Sequence, residues 1–430
     1  MFNRTACLGV TFLLVVFGVR AEEWPSWRGP RGDGTSHETS IPVRWSANEN
    51  VRWETPVPGK GHSSPIVWGD RVFVTTCLEK EQKRVLLCLD RRDGKVLWQR
   101  VVLTAPLELK HGLNSYASST PATDGRYVWV SFLKQPEMVV ACYDYSGNLI
   151  WQRSPGKFYS RHGFCSPPLL YKDLVILNGD HDGDGYLVAL DQATGEERWR
   201  VDRPNKTRSY CPPVIFDIAG KKQLVMSGSM CVASYDPDTG KELWIIDGPT
   251  EQFVASVVQA DGVLFMTYGY PKLGVMAIRP DGEGNVTKTH VLYNESRGGG
   301  YVPSPIANGH YFFLVNDNGF ASCREAKSGK LLWLERLGRH HSASPVSANG
   351  HLYFPDDDGT THVLKAGPKF ELVARNALGE ECYASPAVSR GQIFIRTLHN
   401  LYCIGELGGA SKKRSRNAAS GGPDASSKRR

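Results

Sequence analysis

The most informative stretch of the sequence is ALDQATGEERW at residues 189–199, where an aspartate, a glycine and a tryptophan follow one another at intervals of four residues. The same arrangement recurs at residues 90–98, 236–244 and 325–333, with glutamate replacing aspartate in the last copy. An aspartate side chain accepts hydrogen bonds from turn amides, and glycine takes the left-handed conformation that many turns need. The stretch therefore predicts a tight turn that leads into a β-strand carrying the tryptophan.

The tryptophan strand is one part of a repeat that extends over most of the chain. Weaker copies without tryptophan lie around Tyr293 and Val373, and a Ser/Thr-Pro pair or a variant of it marks a second position in each repeat. Each repeat contains four short β segments separated by turn signals, an arrangement typical of β-propellers. The six tryptophans at the equivalent strand position are Trp53, Trp98, Trp151, Trp199, Trp244 and Trp333.

The ends of the repeat region indicate how the ring closes. The last repeat has only three β segments, whereas the strand around Trp53 has no partners before it in the sequence. We therefore predict an all-β protein with an eight-bladed β-propeller of four-stranded blades over residues 45–406, whose N-terminal strand completes the last blade. Pairing the terminal strands removes edges that would otherwise stay unpaired.

Both ends of the chain differ in composition from the body. Residues 1–21 combine Arg4 with an apolar run and small residues near Ala21, which is the pattern of a signal peptide. Residues 407–430 are rich in Gly, Ser, Lys and Arg and predict a disordered basic tail. The formal charge of +7 belongs to these ends, and the body is close to neutral. We expect an exported protein, periplasmic or extracellular, without a specific nucleic-acid partner. Its basic tail can contact an anionic membrane surface, and the alternative is a tail that only keeps the protein soluble.

The body also resembles a known family. The stretch at residues 189–199 matches the Ala-x-Asp-x-x-Thr-Gly-x-x-x-Trp docking motif, and residues 45–405 resemble the pyrroloquinoline-quinone-like (PQQ-like) repeat superfamily. That superfamily includes quinone-dependent alcohol dehydrogenases and the outer-membrane assembly factor BamB. The resemblance implies a propeller with tryptophans packed between blades, and it leaves the activity open because these residues serve packing. Residues 22–44 would form an extension that covers one face of the propeller with Trp24 and Trp27.

Polar loops before the predicted innermost strands supply candidates for ligand binding. Closing the ring would bring these loops to one rim, where they could form a pocket for an anionic or carbonyl-bearing ligand. The alternative is a solvated rim, since loops are polar by default. The candidates are His62, Arg161, His162, Arg208, Arg297, His340, His341 and Glu381.

A second candidate site is the acidic segment at residues 180–185. Asp180, Asp182 and Asp184 alternate as in the first half of a calcium loop, and Gly185 permits a sharp turn. The alternative is an acidic hairpin turn, because Asp191 at the twelfth position also belongs to the tryptophan-bearing turn. Elsewhere, Cys165 and Cys211 lie near the starts of neighbouring inner strands and are candidates for a disulfide.

These features favour a binding protein over an enzyme. The quinone dehydrogenases of the superfamily typically carry two adjacent cysteines beside a calcium-bound quinone, and this sequence has no Cys-Cys pair. We expect a monomeric, non-catalytic binding or assembly scaffold resembling BamB, with a protein or cell-envelope ligand as partner and no assigned cofactor. The alternative is a quinone- or metal-dependent oxidoreductase that binds PQQ or calcium over the propeller channel.

Overall fold

The computed structural model describes residues 21–406, and these residues form eight β-sheets arranged as the blades of a β-propeller. Each blade has four antiparallel strands, and two of the sheets gain a fifth, short strand in parallel. The predicted fold class is confirmed. Glu79–Glu81 form a short 3-10 helix, and no helix in the described part could span a membrane. The predicted basic tail and nearly all of the predicted signal peptide lie outside the described residues.

The blades follow one another along the chain, and within each blade the chain runs from the innermost strand outward. Blade 1 consists of Ile66–Trp68, Arg71–Leu78, Lys83–Asp90 and Val96–Thr104, and blade 2 of Ala122–Thr123, Tyr127–Lys134, Glu137–Asp144 and Leu149–Arg153. Blade 3 consists of Leu169–Tyr171, Leu174–Asn178, Tyr186–Asp191 and Glu197–Asp202, and blade 4 of Val214–Ile218, Lys221–Gly228, Cys231–Tyr235 and Glu242–Asp247. A further short strand, Gly284–Asn285, pairs in parallel with the outermost strand of blade 4.

Blades 5 to 8 repeat this order, and the last one closes the ring. Blade 5 consists of Val258–Ala260, Val263–Tyr268, Gly274–Ile278 and Val291–Glu295, and blade 6 of Ile306–Asn308, Tyr311–Val315, Phe320–Glu325 and Leu331–Arg336. Blade 7 consists of Val346–Ala348, His351–Pro355, Thr360–Lys365 and Leu372–Ala377, and blade 8 of Ala387–Ser389, Gln392–Arg396, Asn400–Ile404 and Val51–Pro56. The N-terminal strand Val51–Pro56 pairs antiparallel with Asn400–Ile404, as predicted.

The middle strands of each blade are buried over most of their length because both of their faces are covered by neighbouring blades. Leu174–Asn178 of blade 3 is buried at every position. The outermost strands alternate instead, and Glu197–Asp202 buries only one of its faces in part. This difference follows from position in the sheet, since a strand with one solvated face keeps polar residues on that face.

Contacts between a tryptophan and a glycine join neighbouring blades at the outer part of the ring. The Trp151 ring of blade 2 lies against Gly195 of blade 3, and its Nε1 donates a hydrogen bond to the Gln192 carbonyl at 2.9 Å. Trp53 of blade 8 makes the same pair of contacts with Gly94 and the Arg91 carbonyl of blade 1. The motif at residues 189–199 therefore both receives a tryptophan from the preceding blade and supplies one to the next.

A second set of contacts joins the blades around the channel. The Ser64 amide donates to the Thr120 hydroxyl of the next blade at 2.9 Å. The amides of Ser304 and Ser344 donate in the same way to the hydroxyls of Ser344 and Ser385, each at 2.9 Å. Each of these hydroxyl residues precedes the proline of the repeated Ser/Thr-Pro marker. The marker thus supplies a hydrogen-bond acceptor to the neighbouring blade.

Residues 22–44 cross one end of the channel. Trp24 is fully buried and exchanges two backbone hydrogen bonds with Val67 of blade 1. Arg28 donates to the Pro305 carbonyl of blade 6 at 2.7 Å, and Thr35–Ser36 pair in parallel with the innermost strand of blade 7. The segment contacts the innermost strands close to their turns into the second strands, so it covers that rim.

We predict that Gly195→Ala destabilises the propeller more than Gly350→Ala does. Both glycines have a φ of about +71°, but an added Cβ at Gly195 would lie 2.6 Å from the Trp151 ring, whereas nothing lies within 4 Å at Gly350. The backbone strain common to both is about 1–2 kcal/mol, and the clash adds about 1–3 kcal/mol at Gly195. Denaturant unfolding of the two variants measures the difference. Equal losses of stability in the two variants would contradict a stabilising role of the contact between the Trp151 ring and Gly195.

Candidate functional site

A cavity of about 580 Å³ opens on the rim opposite the N-terminal segment. It is formed by the connections that lead into the innermost strands and by two loops between second and third strands. Its wall residues are His111, Leu113, Asn114, Arg161, His162, Cys165, Arg208, Tyr210, Gln252, Val254, Tyr270, Tyr301, Val302, Asp317, His340 and Ser342.

Four of the residues singled out in the sequence line this cavity. Arg161 and His162 precede blade 3, Arg208 precedes blade 4, and His340 precedes blade 7. They come together because every connection into an innermost strand ends beside the channel. His62 lies deeper, in a narrower space of about 100 Å³ that shares wall residues with the cavity, and its ring stacks on Tyr383 with 4.7 Å between centroids.

The other three candidates do not line the cavity. His341 is fully buried within blade 7, where its Nδ1 lies 2.8 Å from the Pro355 carbonyl oxygen. Arg297 is exposed in the connection between blades 5 and 6. Glu381 accepts a hydrogen bond from the Tyr383 hydroxyl at 3.1 Å. Position in a connection therefore brings a residue to the rim, but it does not decide which way the side chain points.

The positive charge of the cavity comes from its arginines. Burial, then Arg396 and Lys110, lowers the pKa of His62 to about 3. Burial, then Arg208, also lowers the pKa of His162. Both rings are therefore neutral at neutral pH, and the guanidinium groups of Arg161 and Arg208 remain charged.

The sequence reasoning missed the aromatic side of the cavity. Tyr270 lies in the loop between the second and third strands of blade 5, and it is 51% exposed. Tyr301 precedes blade 6 and donates its hydroxyl proton to Gln252 at 3.0 Å. Asp317, from the same type of loop in blade 6, accepts the backbone amides of Tyr301 and Val302. Aromatic residues in loops of this rim were the signal that could have identified them.

The acidic segment at residues 180–185 faces a set of basic side chains. Asp180 and Arg203 form a fully buried ion pair at 3.0 Å. Asp182 pairs with Arg208 at 2.7 Å, and Asp184 pairs with Lys206 at 2.5 Å in an exposed position. Among residues 21–406, no three His, Cys, Asp or Glu side chains are grouped so that they could hold a metal ion.

Arg203, which the Asp180 carboxylate holds in place, joins blades 3 and 4 beside the cavity. Arg203 follows the outermost strand of blade 3 and also donates to the Gly228 carbonyl of blade 4 at 3.1 Å. It makes a further hydrogen bond to the Tyr235 hydroxyl. Asp182 meanwhile fixes the Arg208 guanidinium at the cavity wall. One carboxylate of the segment that resembles a calcium loop thus orients an arginine of the cavity wall.

The cysteines proposed as a disulfide pair are separate thiols. Cys165 and Cys211 are both free, so the structure corrects that hypothesis. Burial raises the pKa of Cys165 to about 12 and that of Cys211 to about 11. Both side chains are therefore protonated at neutral pH, which makes them poor nucleophiles.

We predict that Asp180→Asn strongly destabilises the protein, whereas Asp184→Asn leaves its stability unchanged. Removing the charge of Asp180 leaves Arg203 buried without its carboxylate, which typically costs about 3–5 kcal/mol. Asp184 is solvated, and exposed ion pairs contribute little. Denaturant unfolding of both variants tests this expectation. A similar, small effect of both substitutions would show that the buried pair does not hold blades 3 and 4 together.

We predict that the free energy of unfolding falls on acidification and that His341→Gln makes this fall shallower. Burial lowers the pKa of His341 to about 4, while an unfolded histidine titrates near about 6.5. The unfolded state therefore takes up the proton first, and stability is lost as the pH falls from 6.5 towards 4. At pH 5 the loss from this residue is about 1–2 kcal/mol. Unfolding curves at pH 5 and pH 7.5 measure it.

The control for this experiment is His399→Gln, because His399 is exposed. It should leave the difference in stability between the two pH values unchanged. An unaltered pH dependence in His341→Gln would mean that the pKa of His341 is the same in the folded and the unfolded protein.

Comparisons with known proteins agree with this architecture. The family model described as outer membrane protein assembly factor BamB matches residues 43–154 and 82–333. BamB of Yersinia pestis is 22% identical over 367 residues, which cover 80% of this chain and 85% of that protein. BamB of Moranella endobia is 22% identical over 343 residues, covering 77% and 82% of the two chains.

Solved structures with the same fold include both a BamB and a dehydrogenase. BamB from Moraxella catarrhalis superposes with a TM-score of 0.59 at 12% identity, covering 83% of this chain and 97% of that one. Quinohemoprotein alcohol dehydrogenase from Comamonas testosteroni superposes with a TM-score of 0.65 at 12% identity, covering 90% and 81%. At such identities the likeness shows the fold alone. The match of the family model shows more, and the chain belongs to the family of PQQ-like repeat propellers described as outer membrane protein assembly factor BamB.

Proposed function

We propose that the protein is an exported, non-catalytic scaffold that binds a protein partner at the rim carrying the 580 Å³ cavity. The observation that carries this proposal is the composition of the cavity wall, which contains two arginines and three tyrosines. Arginine and tyrosine are enriched among the residues that dominate protein–protein binding. Covering of the other rim by residues 22–44 leaves this rim as the open end of the channel.

The family supports a role in assembly of the cell envelope. Its described relatives are outer membrane protein assembly factors, and residues 1–21 have the pattern of an export signal. We therefore place the partner among the proteins of the outer-membrane assembly pathway of the producing cell. The basic tail at residues 407–430 would add electrostatic contact with an anionic surface.

The residues of the rim do not fit a calcium-bound quinone. The described part of the chain groups no three acidic, histidine or cysteine side chains for a cation, and the acidic segment at residues 180–185 is engaged by Arg203, Lys206 and Arg208. The rim thus lacks the cation-binding set that this form of quinone catalysis needs. The dehydrogenase neighbour shares the fold of this chain, and the fold is compatible with either class.

Deleting the gene in its host tests the proposal. We expect the deletion to lower the steady-state amount of outer-membrane β-barrel proteins, measured by quantitative mass spectrometry of isolated envelopes. A plasmid copy of the wild-type protein should restore these amounts, and a copy lacking residues 1–21 should not. Unchanged β-barrel amounts would contradict the assembly role. A stoichiometric quinone absorbance spectrum from purified protein mixed with PQQ and calcium would support the dehydrogenase class instead.

A further inference from the structure

The wall of the cavity is divided into a basic side and an aromatic side. Connections before blades 2, 3 and 4 contribute His111, Arg161 and Arg208 to the basic side. Blades 5 and 6 contribute Tyr270 and Tyr301 to the aromatic side. A ligand that fills the cavity therefore meets positive charge on one side and ring surfaces on the other.

The basic side has donor groups that the described protein leaves unused. Arg161 is exposed and has no carboxylate partner within residues 21–406. Arg208 donates one Nη to Asp182, and its other Nη makes no hydrogen bond to the described residues. A guanidinium group with an unused Nη at a cavity wall indicates a place for an acceptor, because donors in such sites are normally paired. A carboxylate suits this place because the guanidinium group binds carboxylates strongly and in a fixed geometry.

The acidic residue of the cavity does not fill that place. Asp317 directs its two oxygens to the backbone amides of Tyr301 and Val302, at 2.7 Å and 3.1 Å. Its charge stabilises the loop on the aromatic side, and the Arg161 guanidinium remains without a counter-charge. An anionic group from outside the chain would supply it.

The hydrogen bonds of the tyrosine hydroxyls indicate which kind of chemical group binds in the cavity beside the anion. Tyr301 donates to Gln252 at 3.0 Å, and the Tyr210 hydroxyl lies 2.7 Å from that of Ser160. Tyr210 is buried, and the half-buried Tyr301, with its hydroxyl bonded inside the protein, offers mainly apolar ring surface; Leu113 adds an aliphatic side chain that is 44% exposed. A sugar needs partners for many hydroxyl groups, whereas an apolar or aromatic side chain of a peptide needs only ring and aliphatic surface.

We propose that this cavity receives an acidic segment of the partner protein. An Asp or Glu carboxylate of that segment binds Arg161 and Arg208, and a neighbouring apolar or aromatic side chain packs on Tyr270 and Tyr301. The volume of about 580 Å³ lies within the range of pockets that enclose small ligands, which limits the occupant to a few residues. This inference rests on the proposed scaffold function and names the chemistry of the partner.

A peptide selection with residues 22–430 of the chain tests the inference. A random seven-residue library is displayed on phage, and the enriched peptides are synthesised with a fluorescent label for anisotropy titrations. We expect enrichment of peptides that carry Asp or Glu next to an apolar or aromatic residue. Enrichment of peptides without acidic residues, or no enrichment, would overturn the inference.

Two matched changes then locate the carboxylate. Arg161→Gln and the replacement of the peptide's acidic residue by its amide should each weaken binding about tenfold or more, as expected for a charged hydrogen bond. The two changes together should weaken it little further, because both remove the same contact. Arg161→Gln is suited to this test because the exposed side chain makes no ion pair in the described protein, so the fold does not depend on it.

The control variant is Arg126→Gln. Arg126 is exposed in a turn between the first and second strands of blade 2, at the opposite rim, and its substitution should leave peptide affinity unchanged. Equal losses in the two variants would show a general charge effect and overturn the inference. If an oligogalacturonate binds and acidic peptides do not, the inference is overturned and the ligand of the cavity is an acidic glycan.

The outcome is separable from the test of the proposed function. Loss of β-barrel proteins in the deletion strain, without selection of acidic peptides, would leave the scaffold function standing and reject this inference. If acidic peptides bind the purified protein through Arg161 but the deletion strain has unchanged β-barrel amounts, the assembly role is rejected and the acidic ligand of the cavity is supported.

Discussion

The packing of a tryptophan of one blade on a left-handed glycine of the next is the interaction on which the rest of the structure depends. A single sheet of four short strands cannot bury its two faces alone, so each blade is stable only between neighbours. The Trp151 ring covers Gly195 so closely that a side chain at that position would overlap it. The indole nitrogen also donates a hydrogen bond to the Gln192 carbonyl. The ring sets the distance between the two blades, and the hydrogen bond fixes their relative position along the strand direction. Closure by Val51–Pro56 extends the same support to the last blade.

The contact is not identical around the ring. The Trp244 indole bonds to Gln223 within its own blade, and the short strand Gly284–Asn285 covers the outer edge there. Blade 5 carries Tyr293 in place of tryptophan, and that ring packs on Gly329 of blade 6. An aromatic ring against a glycine is therefore the contact at five of the eight junctions between blades, and a short added strand covers the outer edge of blade 4.

The ring also decides where chemistry can occur. One rim is covered by residues 22–44, which reach from blade 1 to blade 7, so the connections into the innermost strands form the open rim. Arg161 and His340 are far apart in sequence and share a cavity there because each precedes an innermost strand. The acidic segment at residues 180–185 shows the opposite case, in which a familiar local pattern is redirected by its surroundings. Its carboxylates meet Arg203, Lys206 and Arg208 from the connection to blade 4, and one of these ion pairs orients the cavity wall.

The sequence by itself determined the eight blades, their strand order and the closure by the N-terminal strand. Each of these depends on local signals that recur in most blades, namely turn glycines such as Gly195, alternating strand residues and an aromatic ring such as Trp151. Only the tertiary structure decided that Arg161 faces a cavity while Arg297 faces solvent, that Asp180 pairs with Arg203, and that Tyr270 and Tyr301 form an aromatic wall. The physical reason is that side-chain direction and pairing depend on which loops meet across the channel, and that contact is set by the curvature of the whole ring rather than by any one repeat.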